Sequence, residues 1–152
     1  VIKAKMRETG ALLAGELSCH MFFADKYYGY DDGVYSAVRM IDLISKSSES
    51  LDGMLSHLPK TYAIPEYKIP VSDDEKFLLI DSIKSYMNES GRRYLDIDGI
   101  RYTTEVGWWL LRASNTEPNI ILRCEGMSQQ GLEKIKQDLK IVLEKFALHA
   151  DF

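Results

Sequence analysis

Cysteine is scarce in this sequence, and so is histidine. Cys19 and Cys124 are the only two cysteines, they form no CxxC pair, and His20, His57 and His149 stand in no metal-ligand spacing with them. That pattern argues against a disulfide framework or a zinc module, and the expectation is a reduced, cytoplasmic protein with no metal ligands of its own. An excess of basic charge is also missing. The formal net charge is −4, whereas nucleic acids and anionic membranes both demand a basic face, so neither is an expected partner. An anionic ligand would have to be caught by a local site and not steered in by the overall field. No apolar run comes near the roughly 20 residues of a membrane span, and no signal peptide is visible.

What is present suffices for a folded core. Hydrophobic residues make up 45% and charged residues 28% of the 152, a balance typical of globular domains. The length fits one domain, or one small domain with part of another. Val1 to Glu8 reads as the end of an amphipathic helix that stops at Gly10, and lacking a cap it is expected to begin further upstream. Ala11 to Ala14 reads as a short strand running into the polar loop Gly15-Glu16-Leu17-Ser18-Cys19-His20. Asp31 and Asp32 can cap a helix over about 34–45, with Val34, Val38, Ile41 and Ile44 on one face.

Between Ser45 and Pro70 the composition changes: Ser47, Ser48 and Ser50 are followed by Pro59, Pro65 and Pro70. This is the best boundary in the chain, and the expected domains are 1–58 and 59–152. Tyr62 to Ile69 can be extended, its prolines confining it to a sheet edge or placing it outside the sheet. Ser72 and Glu75 have capping-box spacing ahead of a helix to about Glu89, with Phe77, Ile80, Ile83 and Met87 as its buried face and Gly91 as its stop. Tyr94 to Ile97 and Ile100 to Glu105 flank Asp98-Gly99, a two-residue hairpin signal. Gly107 to Ala113 and Ile120 to Glu125 are two further strands, and Ser128 caps a long helix with Leu132, Ile135, Leu139, Val142 and Phe146 on one stripe. The predicted fold is α+β: a C-terminal antiparallel sheet of about four strands with two helices packed on one face, preceded by a partial α/β segment.

Two segments carry chemistry. In Arg112-Ala113-Ser114-Asn115-Thr116-Glu117-Pro118, an arginine closes a strand, and two hydroxyls and an amide follow in a tight connection. A phosphate dianion wants short donors converging from one side and one fork-shaped cation, which Arg112, Ser114, Asn115 and Thr116 can supply. Glu16, Ser18 and His20 place a carboxylate, a hydroxyl and an imidazole at alternating positions. That suits vicinal sugar hydroxyls, with His20 able to contact a phosphate or shuttle a proton. Two features are read as structural. Asp96 and Asp98 belong to a solvated hairpin, and the adjacent Trp108 and Trp109 point to opposite faces, leaving one of them in the core.

Together the two segments resemble the α-D-phosphohexomutase family, in its phosphomannomutase/phosphoglucomutase branch. Gly15 to His20 is similar to the family's sugar-recognition loop G-E-M-S-G-H, and Arg112 to Pro118 to its phosphate loop R-A-S-N-T-x-P. The resemblance implies a tail of the third domain followed by the fourth, phosphate-binding domain. For the longer enzyme it implies interconversion of hexose 1-phosphate and hexose 6-phosphate, of mannose or glucose, with Mg²⁺ and a hexose 1,6-bisphosphate intermediate. The family's phosphoserine motif T-A-S-H-N-P and metal loop D-G-D-G-D-R do not occur in this sequence. The expected partners are therefore a phosphorylated hexose and upstream domains of the same polypeptide, with no catalysis by this chain alone. The resemblance also implies a departure: Cys19 stands where the family has glycine, at a position suited to positive φ. Alternatives stay open, namely a phosphoglucosamine mutase fragment (whose loop shares Glu117-Pro118), a stand-alone phosphosugar-binding module, and a structural or interaction domain.

Overall fold

The computed structural model describes residues 1–16 and 18–152. The chain divides into two compact units, Val1–Leu58 and Pro59–Phe152.

In the first unit, helix α1 (Ile2–Thr9) ends at Gly10, whose φ of 68° lets its amide turn back to the Met6 carbonyl. Strands β1 (Leu13–Gly15) and β2 (Met21–Phe23) pair antiparallel, Leu13 opposite Phe23 and Gly15 opposite Met21. Helix α2 (Gly33–Ser45) starts where the Asp32 carboxylate accepts the Tyr35 amide, and the short α3 (Leu51–Leu55) starts where Ser50 accepts the Gly53 amide. Met6 and Phe22 are the hydrophobic side chains buried here among the described residues. The apolar stripe of α2, Val34, Val38, Ile41 and Ile44, is exposed.

The second unit holds the larger core. Its sheet contains β3 (Tyr62–Ala63), β4 (Tyr67–Pro70), β5 (Tyr94–Leu95), β6 (Ile100–Thr104), β7 (Gly107–Ala113) and β8 (Asn119–Gly126). The order is β3-β8-β7-β6-β5, and β4 also pairs with β8. Every pairing is antiparallel. The six strands exceed the four expected from sequence because two short segments, β3 and β4, both pair along the edge of β8. Tyr94 to Ile97 reads as one strand by composition, yet it leaves the ladder after Leu95, where Asp96 instead pairs with Lys84 at 2.5 Å.

Alternation along β7 decides where the helices go. Trp109, Leu111 and Ala113 are buried, while Trp108, Leu110 and Arg112 are only half-buried, so one face of the sheet is covered and the other open. Helices α4 (Asp73–Glu89) and α5 (Gln129–Lys145) supply Ile80, Ile83, Met87, Leu132, Ile135, Leu139 and Val142 to the same core. The Trp109 indole nitrogen donates to Asp138 of α5 at 2.8 Å, satisfying its one polar atom. Trp108 lies on the open face, with the Arg101 guanidinium 4.6 Å above its ring.

Two details of α4 differ from the sequence reading. Ser72 bonds the Glu75 carboxylate at 2.7 Å and makes no side-chain bond to the helix backbone, so the reciprocal capping box does not form. Phe77 is half exposed, and Lys76 takes the buried place one residue earlier. The stripe facing the sheet is thus Lys76, Ile80, Ile83 and Met87.

Helix α5 crosses the end of β8 closely enough that only glycine fits there. A Cβ on Gly126 would lie 2.6 Å from the Leu132 Cα and closer still to its amide nitrogen, both backbone atoms that cannot swing away. Gly126→Ala therefore forces α5 off the sheet. The expected cost is about 2–3 kcal/mol, read as a melting temperature roughly 10 °C lower; an unchanged melting temperature contradicts this packing.

Candidate functional site

The connection from β7 to β8 is tied down from several sides. Ser114 is buried, and its hydroxyl oxygen accepts the amides of Thr116 (3.3 Å) and Glu117 (3.1 Å), which folds the chain into a tight turn. The Ser114 amide donates to the Asn119 carbonyl, the Asn119 amide to the Glu117 carbonyl, and the Val71 amide to the Pro118 carbonyl. The Glu117 carboxylate accepts from the Lys68 ammonium and, at 2.8 Å, from the Asn119 side chain. First the Lys68 hydrogen bond and then that of Asn119 hold its pKa below the ordinary glutamate value. The Lys76 ammonium, itself buried, donates to the Glu117 carbonyl at 2.9 Å and to Asp73 at 2.5 Å.

What this leaves accessible is specific. Asn115 and Thr116 are exposed, and their side chains make no hydrogen bond among the described residues. Arg112 stands beside them at the end of β7, half-buried, one guanidinium nitrogen (Nη1) lying 3.3 Å from the Asp98 carboxylate. Its remaining N–H groups can form the paired, charge-assisted bonds that a phosphate accepts. Of the four residues singled out from sequence, Asn115 and Thr116 are exposed and Arg112 is half-buried. Ser114 instead uses its hydroxyl oxygen to build the turn.

Asp98 was read from sequence as a solvated hairpin residue, and it is in fact the partner of Arg112. The Asp-Gly turn docks on β7: Gly99 has φ 91°, and a Cβ there would lie 2.7 Å from the Arg112 Cβ. A polar hollow of about 420 Å³ lies between α4, this hairpin and the loop, lined by Lys84, Asp98, Ala113 and Asn115 among others. Lys76 and Asp98 were both missed by sequence reasoning. For Lys76 a signal existed, since it stands four residues before Ile80 on the face of α4 that the apolar residues define.

In the first unit, Glu16, Ser18 and His20 do come together, at the tip of the β1–β2 hairpin; Leu17 of the same loop lies outside the described residues. The Glu16 amide donates to the His20 carbonyl (3.0 Å) and the Cys19 amide to the Glu16 carbonyl (3.1 Å), so the loop is a compact turn and not an extended segment. Ser18 donates to Glu16 Oε1, and His20 Nε2 lies 3.7 Å from the same oxygen. The other ring nitrogen, Nδ1, is 2.5 Å from Asp31. Asp31, expected to share the helix cap with Asp32, thus orients the imidazole instead. All three loop residues remain accessible. Beside the loop, a largely apolar cleft of about 580 Å³ is lined by Leu13, Met21, Phe23, Arg39 and Met40, among others. Arg39 is held there by Asp25 at 2.7 Å and lies over the Phe23 ring at 4.5 Å.

Among the described residues no three His, Cys, Asp or Glu side chains converge to hold a metal ion. No helix is long and apolar enough to cross a membrane among those residues.

Residues 66–142 match the family model "Phosphoglucomutase/phosphomannomutase, C-terminal domain", and residues 1–62 match "Phosphoglucomutase/phosphomannomutase, alpha/beta/alpha domain III". A phosphomannomutase/phosphoglucomutase of Pseudomonas putida is 41% identical over 90% of this chain and 29% of its own length. A phosphoglucomutase of Neisseria meningitidis is 36% identical over 94% of this chain and 31% of its own. The crystal structure of a phosphoglucomutase/phosphomannomutase family protein from Burkholderia thailandensis superposes with a TM-score of 0.83 at 35% identity. It covers 99% of this chain and 31% of that one. The chain spans about a third of the length of these relatives.

Cys19 has φ 68°, a backbone conformation that costs an L side chain free energy and glycine little. Cys19→Gly is therefore expected to stabilise the first unit by about 0.5–1 kcal/mol, the gain reduced by glycine's larger freedom when unfolded. Urea unfolding followed by a probe in residues 1–58 measures it, and a lower midpoint for the glycine variant refutes it.

Proposed function

Because the chain belongs to the phosphoglucomutase/phosphomannomutase family, we propose that it is the substrate-holding C-terminal portion of an enzyme interconverting hexose 1-phosphate and hexose 6-phosphate, with mannose or glucose as the sugar. The observation that carries the proposal is the β7–β8 connection: a turn fixed by its own hydrogen bonds, with the exposed Asn115 and Thr116 side chains left unengaged and the half-buried Arg112, held by Asp98 through one nitrogen, at the strand end that leads into it. Arg112 is assigned to the phosphate that is not reacting. Asn115 and Thr116 add neutral donors, and Ser114 keeps the turn in shape. Glu16 and Ser18 are assigned to the sugar hydroxyls, as acceptor and donor. His20, oriented by Asp31, is assigned a contact to phosphate or a proton-carrying role.

The division of labour follows from what each group can do. A phosphate held by a guanidinium and fixed donors loses its translational freedom before any bond changes, and such positioning supplies much of the rate in phosphoryl transfer. The nucleophile and the Mg²⁺ belong in this proposal to upstream domains of the same polypeptide, with a hexose 1,6-bisphosphate as intermediate. This chain contributes recognition. Its location in the cytoplasm is part of the same proposal.

Two outcomes are expected. Purified chain incubated with glucose 1-phosphate, glucose 1,6-bisphosphate and Mg²⁺ forms no glucose 6-phosphate above a boiled control; turnover contradicts the assignment of the chemistry to other domains. In the longer enzyme, Arg112→Ala loses a charged hydrogen-bonding partner of the phosphate, a loss of about 1.5–3 kcal/mol. KM for the sugar phosphate then rises roughly ten- to a hundredfold and kcat falls with it, whereas Arg101→Ala, which removes the guanidinium over Trp108, leaves both nearly unchanged. Equal losses in the two variants, with folding intact, place the phosphate elsewhere.

A further inference from the structure

Polar side chains are costly to bury, so where they are buried is informative. Among the described residues, the buried polar or charged side chains are Lys76, Ser114 and Asn119. They come from three separate elements, α4, the β7–β8 connection and the first residue of β8, and all three end on that connection. Ser114 accepts two of its amides, Asn119 holds the Glu117 carboxylate, and Lys76 donates to the Glu117 carbonyl from 41 residues away. None of the three is at the accessible side. An ammonium with relative exposure of 3% is the most expensive of these groups to bury, and its companion Asp73 is largely exposed, so their ion pair is a partly solvated one. The bond that distinguishes Lys76 is the one to the loop backbone.

We propose that Lys76 is a positioning residue of the phosphate loop. By donating to the Glu117 carbonyl it holds residues 114–119 in their binding form before any ligand arrives, so that phosphate meets donors already aimed. This deepens the reading of Arg112, Asn115 and Thr116 as a phosphate site and rests on it. Lys76 touches no ligand. It acts by removing the conformational freedom that the loop would otherwise lose on binding, and it adds a positive charge beneath an anion site where water does not screen it fully.

The test separates this role from a merely structural one. Lys76→Met keeps the length and apolar stem of the side chain and deletes only the ammonium; Asp73 stays solvated, so no buried ion is stranded. The chain is titrated with inorganic phosphate and followed by amide chemical shifts. Lys76→Met is expected to bind about tenfold more weakly while its unfolding midpoint stays close to that of the unchanged chain, and Lys76→Arg, which keeps charge and donors, is expected to recover most of the affinity. Unaltered affinity in Lys76→Met overturns the proposal, as does an affinity loss that Lys76→Arg fails to recover in a folded protein. A second measurement needs no variant. In phosphate-free chain the amides of Thr116, Glu117 and Asn119 are expected to be protected from hydrogen exchange, with little further protection on adding phosphate. If they exchange at the rate of an unstructured loop and become protected only with ligand, the loop is not preformed and the proposal fails, whether or not Lys76→Met folds. Absence of phosphate binding in the unchanged chain, or equal binding by Arg112→Ala, overturns the phosphate site itself. Binding that depends on Arg112 and not on Lys76 overturns this inference alone.

Discussion

The pairing of β7 with β8 is the constraint on which the rest of the second unit depends. It runs unbroken from Gly107 opposite Gly126 to Ala113 opposite Ile120. Both ends of the ladder do something the fold requires. At one end the chain turns through Ser114 to Pro118. At the other, two glycines bring the strands together beneath α5. Because side chains alternate along a strand, a slip of one residue would carry Arg112 to the helix-covered face and Leu111 to the open one. The burial of Trp109, Leu111 and Ala113 against the helices therefore fixes where the arginine points. Core packing and the side of the sheet that carries Arg112 are settled by the same register.

Electrostatics at the loop follows from that placement. Arg112 is half-buried beside Asp98, and Glu117 sits between Lys68 and the Asn119 amide. The Asp98 and Glu117 carboxylates are thus each engaged by a donor, which lowers the negative potential they present at the loop. Exposed ion pairs of this kind add little to folding stability. Their value here is in holding side chains still. The His20–Asp31 pair in the first unit works on the same terms: it fixes which ring nitrogen is occupied and which faces Glu16.

How much of this the sequence disclosed depended on how local each signal was. Capped helices over 33–45 and 129–145 and the strand Gly107–Ala113 rest on contacts within a few residues, and reading along the chain found them; the turn at Asp98-Gly99 was found too, but its first strand ends at Leu95, so four residues and not two join it to β6. The loops at 15–20 and 112–118 stand out in the sequence because several polar groups of complementary kind lie close together in each. Long-range partners were not legible. That Asp98 would meet Arg112, or Asp31 would meet His20, depends on strand register and hairpin docking, which no local pattern encodes. Lys76 escaped notice because a charged residue on an apolar helix face is ordinarily assigned to solvent, while its carbonyl partner lies 41 residues away. The apolar stripe of α2 was read correctly as a stripe, but amphipathicity says only that a face is apolar, not that these residues cover it.

The two margins of the second unit's sheet are unlike each other, and both are short. On one side β3 and β4 lie along the same strand, separated by Ile64, Pro65 and Glu66, and β4 ends in Pro70. On the other, β5 contributes two residues and then departs with Asp96 tethered to Lys84. A row of unpaired amides and carbonyls invites another chain to continue the ladder, and proline, interruption and brevity each deny it a template. A sheet so finished at its borders can remain in a crowded solution without recruiting neighbours edge to edge, even though its inner strands are rich in the β-branched and aromatic residues that favour such growth.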